Sequence, residues 1–200
     1  MSDLLDSSQP PADGELWVKP FRAGGAALTD PFSIFKNPAD AGRALRTTSR
    51  LGAFREAAGH IFLGSNLVVD VGRQCLANLI GGRDLTASGS VPTKQYVVTQ
   101  CSWGDHDTVP RFTDTALSAN GANEIAYDGS LFKKALYSVD WPQPFIVRFE
   151  AVLEADEAND VLLKEMGLWT ANTTLFARKV FPAIAKDSSF GLSFLWRVRF

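Results

Sequence analysis

The chain is short of the residues on which most site chemistry depends. Only two cysteines, Cys75 and Cys101, and two histidines, His60 and His106, occur in 200 residues. Two cysteines are too few for a disulfide framework, and Cys75 falls in an apolar helical pattern where a reduced, buried thiol is expected. No apolar run approaches the ~20 residues of a bilayer-spanning helix, and mean hydropathy is -0.03. The first residues, Met1 to Pro11, lack the basic start and apolar stretch of a secretion signal, so synthesis in the cytoplasm is expected. Asn172-Thr173-Thr174 fits a glycosylation pattern, but without a secretion signal the match is expected to be accidental. Neither charge dominates. Twenty Lys and Arg against 22 Asp and Glu give a net charge of -2, which supplies no field toward nucleic acid or anionic lipid.

What the chain has in quantity is aromatic surface. Fourteen Phe, five Trp and three Tyr make 11% of the residues, a composition suited to strands and interfaces. Five of the ten prolines fall in the first forty residues, interleaved with Leu16, Trp17, Val18, Phe21, Phe32, Ile34 and Phe35. Apolar anchors separated by helix breakers predict an extended arm over residues 1–58, docked on its own domain or on a neighbour, with room for a short helix over 43–58. Removal of residues 1–40 is expected to abolish assembly while leaving the domain folded.

Residues 59–200 predict the domain. Leu67, Val68, Val71, Cys75, Leu76 and Leu79 recur at three- and four-residue steps, predicting a helix over 66–80 capped by Ser65 or Asn66 and stopped at Gly81-Gly82. From Thr93 the period becomes two. Strands are expected over 95–103, 131–139, 145–154, 162–170, 174–181 and 192–200, with Ala171-Asn172 turning an antiparallel hairpin. The fold class is therefore mainly β: an antiparallel β-sandwich or jelly-roll-like domain with one packed α-helix and an extended N-terminal arm.

Enzyme signatures are sparse. There is no phosphate-binding glycine loop, no His-Glu-x-x-His and no Gly-x-Ser-x-Gly. Asp105, His106 and Asp107 follow the first long strand, but adjacent ligands rarely converge on one ion, and a solvated turn is the expectation. Glu150 and Glu154 share a strand face about 13 Å apart, wider than the ~5–9.5 Å of glycosidase pairs. Pairing of Glu165 across strands is left open. Arg148, Arg178, Arg197 and Arg199 alternate on strands; a phosphate or sulfate site is open to them, and pairing with acids across strands or subunits is the expectation. Trp103, Trp141 and Trp169 are read as exposed rings on which a sugar can stack, so a carbohydrate- or receptor-binding module stays open. No catalytic, cofactor-binding or metal residue is assigned, and the chain is read as non-enzymatic.

The C-terminal half carries an ordered set of motifs: Met166-Gly167-Leu168, then Leu175-Phe176-Ala177-Arg178, Phe181, Ile184 and Lys186, and a closing Trp196, Val198 and Phe200. Together with the apolar segment Asn66 to Gly82 and the Gly104-Asp105-x-Asp107-Thr108 loop, this resembles a group of tailed-bacteriophage structural proteins over residues 60–200. The chain departs from that pattern at Met166 and in the insertion Asn120 to Ser130. The resemblance implies a virion component made in the host cytoplasm: a tail, baseplate or fibre-attachment subunit, or else a capsid decoration or cement protein. Its implied partners are copies of itself and other phage structural proteins, with a host surface glycan as a further class and neither nucleic acid nor membrane.

Overall fold

The computed structural model describes residues 14–22, 25–43, 60–73, 75, 96–117, 124–143 and 146–199. Ten strands are present among them: β1 (Gly14–Arg22), β2 (Ile61–Val68), β3 (Val98–Gly104), β4 (Glu124–Ile125), β5 (Lys134–Ala135), β6 (Ser138–Gln143), β7 (Ile146–Leu153), β8 (Val161–Thr170), β9 (Leu175–Lys186) and β10 (Phe190–Arg199). All pairings are antiparallel. One sheet runs β6-β7-β10-β1-β2, and the other runs from β4 and β5 through β3, β8 and β9 back to β2. The mainly β sandwich expected from the sequence is therefore the fold.

The layers face each other through side chains that alternation places on one side of each strand. Leu16, Trp196 and Phe149 lie opposite one another on β1, β10 and β7 and point inward. Trp103 of β3 and Phe181 of β9 meet Phe194 of β10 with ring centroids 5.7 and 6.1 Å apart. These contacts cross between sheets and fill the core. Burying each such ring is worth about 1.5–3 kcal/mol.

Both flanks of the sandwich are bridged by chain that changes sheet. The backbone of β2 pairs with β1 over residues 61–66 and then, at Leu67 and Val68, with Arg178 and Ala177 of β9. Gly64, at φ +117°, allows the distortion before the crossing, and the β1 register slips beside it. On the other flank Ala135 of β5 pairs with Gln100 of β3. Leu136 N then donates to Thr99 O, and Tyr137 N donates to Glu150 O of β7, delivering the chain to β6.

Three expectations change here. The segment 66–80 was expected to be helical from Asn66, but Asn66, Leu67 and Val68 belong to β2, and helix begins only at 70. β-branched Val68 suits a strand, and pairing with β9 overrides the local helical spacing. The helical residues 70–73 press closely on β9, where any Cβ at Gly72 would fall 2.1 Å from the Phe176 carbonyl oxygen. Residues 76–80 lie outside the described set.

Second, the expected arm is not appended to a domain beginning at 59. β1 is an interior strand, paired with β10 along its whole length and with β2 over its first half. Leu16 and Val18 are fully buried in the core. Pro20 is tolerated because pairing to β2 ends at Val18, and beyond that point the same edge of β1 is met only by the isolated bridge from Phe21 to Ala27. The chain then returns over its own domain: Asp30 caps a 3-10 turn, Pro31–Ile34, and Phe35 bridges to Ile184 of β9. Residues 38–43 are helical, while the short helix expected over 43–58 falls almost entirely outside the described residues. A deletion of 1–40 therefore removes a core strand rather than a detachable arm.

Third, the hairpin between β8 and β9 forms as expected, but its left-handed residue is Thr173, at φ 63°, rather than Asn172. The Asn172 side chain accepts from the Thr170 hydroxyl, and Thr173 N and Thr174 N are held by Thr170 O and Oγ1. No helix among the described residues is long and apolar enough to cross a membrane.

Candidate functional site

The most charged cluster lies on the outer face of the second sheet, beneath the segment 105–117. Arg178 and Glu165 stand on adjacent strands with side chains 2% and 0% exposed. Arg178 Nε donates to Glu165 Oε2 at 2.7 Å, Nη1 to Asp114 Oδ2 at 2.7 Å, and Nη2 to the Thr108 carbonyl at 2.9 Å. The guanidinium fork thus ties the loop after β3 to the sheet. Two glycines leave room for the side chains around it. A Cβ at Gly104 would lie 2.6 Å from Glu165 Oε1, and one at Gly167 would lie 2.8 Å from Leu117 Cδ2.

Glu165, whose pairing across strands the sequence left open, is fully buried. Its carboxylate meets an arginine that loop 105–117 shields from water, a pairing that only the tertiary fold creates. Glu150 and Glu165 do not approach across paired strands, because β7 and β8 belong to different sheets. Glu150 accepts from Ser138 Oγ and Ser193 Oγ, and Glu154 follows the end of β7. Arg148 pairs with Asp140 on β6, and Arg197 reaches Glu15 at 3.5 Å.

Two of the three tryptophans read as exposed are buried. Trp103 is in the core. Trp169 donates from Nε1 to Ser102 Oγ at 2.8 Å, and its ring face is covered by Lys133 Nζ at 4.2 Å. Strand period places a residue on a face but does not say what covers that face, and here the loops around β4 and 105–117 do so. Trp141 alone of the three is exposed, at 67%.

The loop Asp105-His106-Asp107 is partly solvated, with His106 Nδ1 2.7 Å from Thr108 Oγ1. Among the described residues no three His, Cys, Asp or Glu stand together in a way that can hold a metal ion. A cleft of about 490 Å³ opens between the turn at 126–129 and the β7–β8 connection, lined in part by Asp128, Glu154, Asp156 and Glu157. Of its acids, Glu157 holds the fold, its Oε2 taking Lys134 and the Glu154 amide. Below it Lys186 is enclosed, donating to Ala155 O, Asn159 Oδ1 and Asp187 O. Burial pushes the Lys186 ammonium below its ordinary pKa, opposed by Asp187, Glu157 and Asp156. Cys75 and Cys101 are free and buried, and desolvation raises both thiols, so neither is a poised nucleophile.

Among the described residues, one apolar strand edge stays open to solvent. β6 ends its sheet, and Tyr137, Val139 and Trp141 are 73%, 37% and 67% exposed. Val139 lies opposite Phe149, whose side chain is in the core, so the stripe is on the inward face where β6 overhangs the opposite layer. Sequence reading placed a strand near here, at 131–139, but did not single out the stripe. The alternation of exposed 139, 141 and 143 with half-buried 140 and 142 was its available signal.

Comparison with protein-family models, curated proteins and solved structures yields no match.

Proposed function

We propose that the chain is a non-enzymatic structural subunit of a bacteriophage particle, acting as a tail, baseplate or fibre-attachment component that assembles through its β domain. The observation that carries this reading is the contrast between the polar clusters and the surface. Arg178, Glu165, Asp114 and Lys186 are consumed in holding loops to sheets, whereas a strand edge bearing Tyr137 and Trp141 is left uncovered. Exposed aromatics along an unpaired edge suit repeated protein contacts. The ordered motifs from Met166 to Phe200 supply the link to tailed phages. The N-terminal segment contributes to this role as part of the domain, since β1 lies within the sheet.

A second reading, a glycan-binding module, keeps one specific support in the exposed rings of Trp141 and Tyr137. The two are separated by particles produced with this gene in its genomic setting. Quantitative mass spectrometry of purified particles is expected to find the chain at a fixed stoichiometry, and cryo-microscopy to place it on the tail. Its absence from particles refutes the assembly role, and a capsid location replaces the tail assignment with the cement one.

A further inference from the structure

We infer that β6 is a two-fold interface, through which two copies of this chain join edge to edge. The inference deepens the assembly reading and rests on it for its setting. Its physical basis is the self-complementarity of residues 137–141.

The free edge is short and bounded. At one end the chain leaves β6 toward the other sheet, with Leu136 N bonded to Thr99 O. At the other, the register slips between Asp140 and Gln143, and Pro142 has no N–H to offer a neighbour. Residues 137–141 remain, centred on Val139, with Tyr137 just before β6 and Trp141 where the slip begins. Two such edges meeting antiparallel about a two-fold axis place Val139 opposite its own copy and Tyr137 opposite the second copy's Trp141. All three side chains then share one face, and each aromatic gains a cross-strand ring. No other register pairs both rings of one copy with both rings of the other.

Charge permits this contact. The only charged residue on β6 is Asp140, and the Arg148 guanidinium on its own sheet neutralises it through Nε and Nη2. Two edges therefore approach without like-charge repulsion. Natural edge strands are guarded by lysine, an inward-pointing charge, proline or a bulge; β6 carries neither of the first two, and its Pro142 and register slip lie at one end, which limits the contact to 137–141.

The area fits a reversible partner of the same kind. With aromatic side chains of about 150–250 Å², exposures of 73% and 67% together with Val139 leave about 350 Å² of apolar surface per copy. A standard interface takes about 800 Å² from each partner. The stripe thus supplies the dry centre, with strand backbone and polar rim as the remainder, and dimerisation is expected to depend on concentration.

The test uses the full chain. Sedimentation velocity from about 1 µM to about 1 mM is expected to show a monomer giving way to a dimer, and Val139→Asp together with Trp141→Asp is expected to hold the monomer with an unchanged circular dichroism spectrum. A Val139→Cys variant treated with a short bis-maleimide is expected to yield dimer efficiently, whereas Val109→Cys, on a loop side chain 75% exposed, is not. The native cysteines are buried and do not interfere. A wild-type monomer at every concentration, a dimer that survives the Asp substitutions, or equal cross-linking at 139 and 109 overturns the interface. Glycan binding by a chain that stays monomeric also overturns it, giving the stripe a different occupant. The particle content described above reads the assembly role separately: a dimer that is missing from particles defeats that role and leaves the interface standing.

Discussion

Arg178→Met is expected to be among the most costly single substitutions on the sheet surface. The side chain removed is 2% exposed, and Glu165 beside it is 0% exposed. Its loss takes the guanidinium away from a carboxylate buried against β3 and frees the Thr108 carbonyl and Asp114. Breaking one side of a buried ion pair costs about 3–5 kcal/mol. For a chain of this size that corresponds to a fall in Tm of about 6–20 °C, and in urea, at about 1–3 kcal/mol per molar, to a midpoint shift of at least about 1 M. Adding Glu165→Met removes the stranded charge, so the double variant is expected to recover to within about 1–2 kcal/mol of the wild type. The residual cost reflects the Thr108 carbonyl, since Asp114 is 20% exposed and is solvated. Urea titrations of the four proteins complete a double-mutant cycle, with a coupling of at least about 2 kcal/mol expected. A single variant that loses under about 1 kcal/mol, or a double variant that loses the sum of the two singles, refutes the claim that the pair is desolvated and coupled.

Two further outcomes follow from the same packing. Deletion of residues 1–22 removes β1 and leaves β2 and β10 without their shared neighbour, so cooperative thermal unfolding is expected to vanish; a truncated chain with a sharp transition contradicts the interior placement of that strand. Lys179 faces the core side near Gly64, and burial lowers its pKa from the ordinary 10.5. Below the lowered folded value the lysine is charged in both states and the folded state carries the desolvation cost, which fades as pH climbs from that value toward 10.5. Lys179→Met is therefore expected to be more stable than the wild type at pH 7, with an advantage that shrinks toward about pH 10; an advantage that stays constant across that range, measured by urea titration, counts against burial as the cause.

The parts of the fold legible in the sequence are those where local pattern and tertiary environment agree. β10 alternates from Leu192 to Val198 because one face enters the core, and the β8–β9 hairpin announces itself by two strand runs around a short polar turn. The misread parts are those where distant chain decides. Leu67, Val68 and Val71 carry a helical spacing, but the backbone of β9 captures the first two before a helix can begin. The prolines near the start disguise β1, since no local feature says that pairing to β2 stops before Pro20. At the polar cluster, Glu165, Arg178 and Asp114 come from three separate segments, and none of the three carries a spacing that points to the others. The stripe on β6 was visible as alternation, but its exposure depends on where the opposite layer stops.

The placement of β1 beside β10, about 170 residues further along the chain, sets an order of events in synthesis. Gly14 pairs with Val198 and Arg22 with Phe190, so β1 waits for β10 before its second edge is satisfied. Until β10 is released, β1 and β7 each lack the neighbour that separates them in the finished sheet. Non-local pairing of this kind slows folding and leaves apolar edges exposed to other chains meanwhile. Newly made copies at high local density are thus most vulnerable until β10 emerges, and a stalled translation product lacking it leaves β1 and β7 without their shared neighbour.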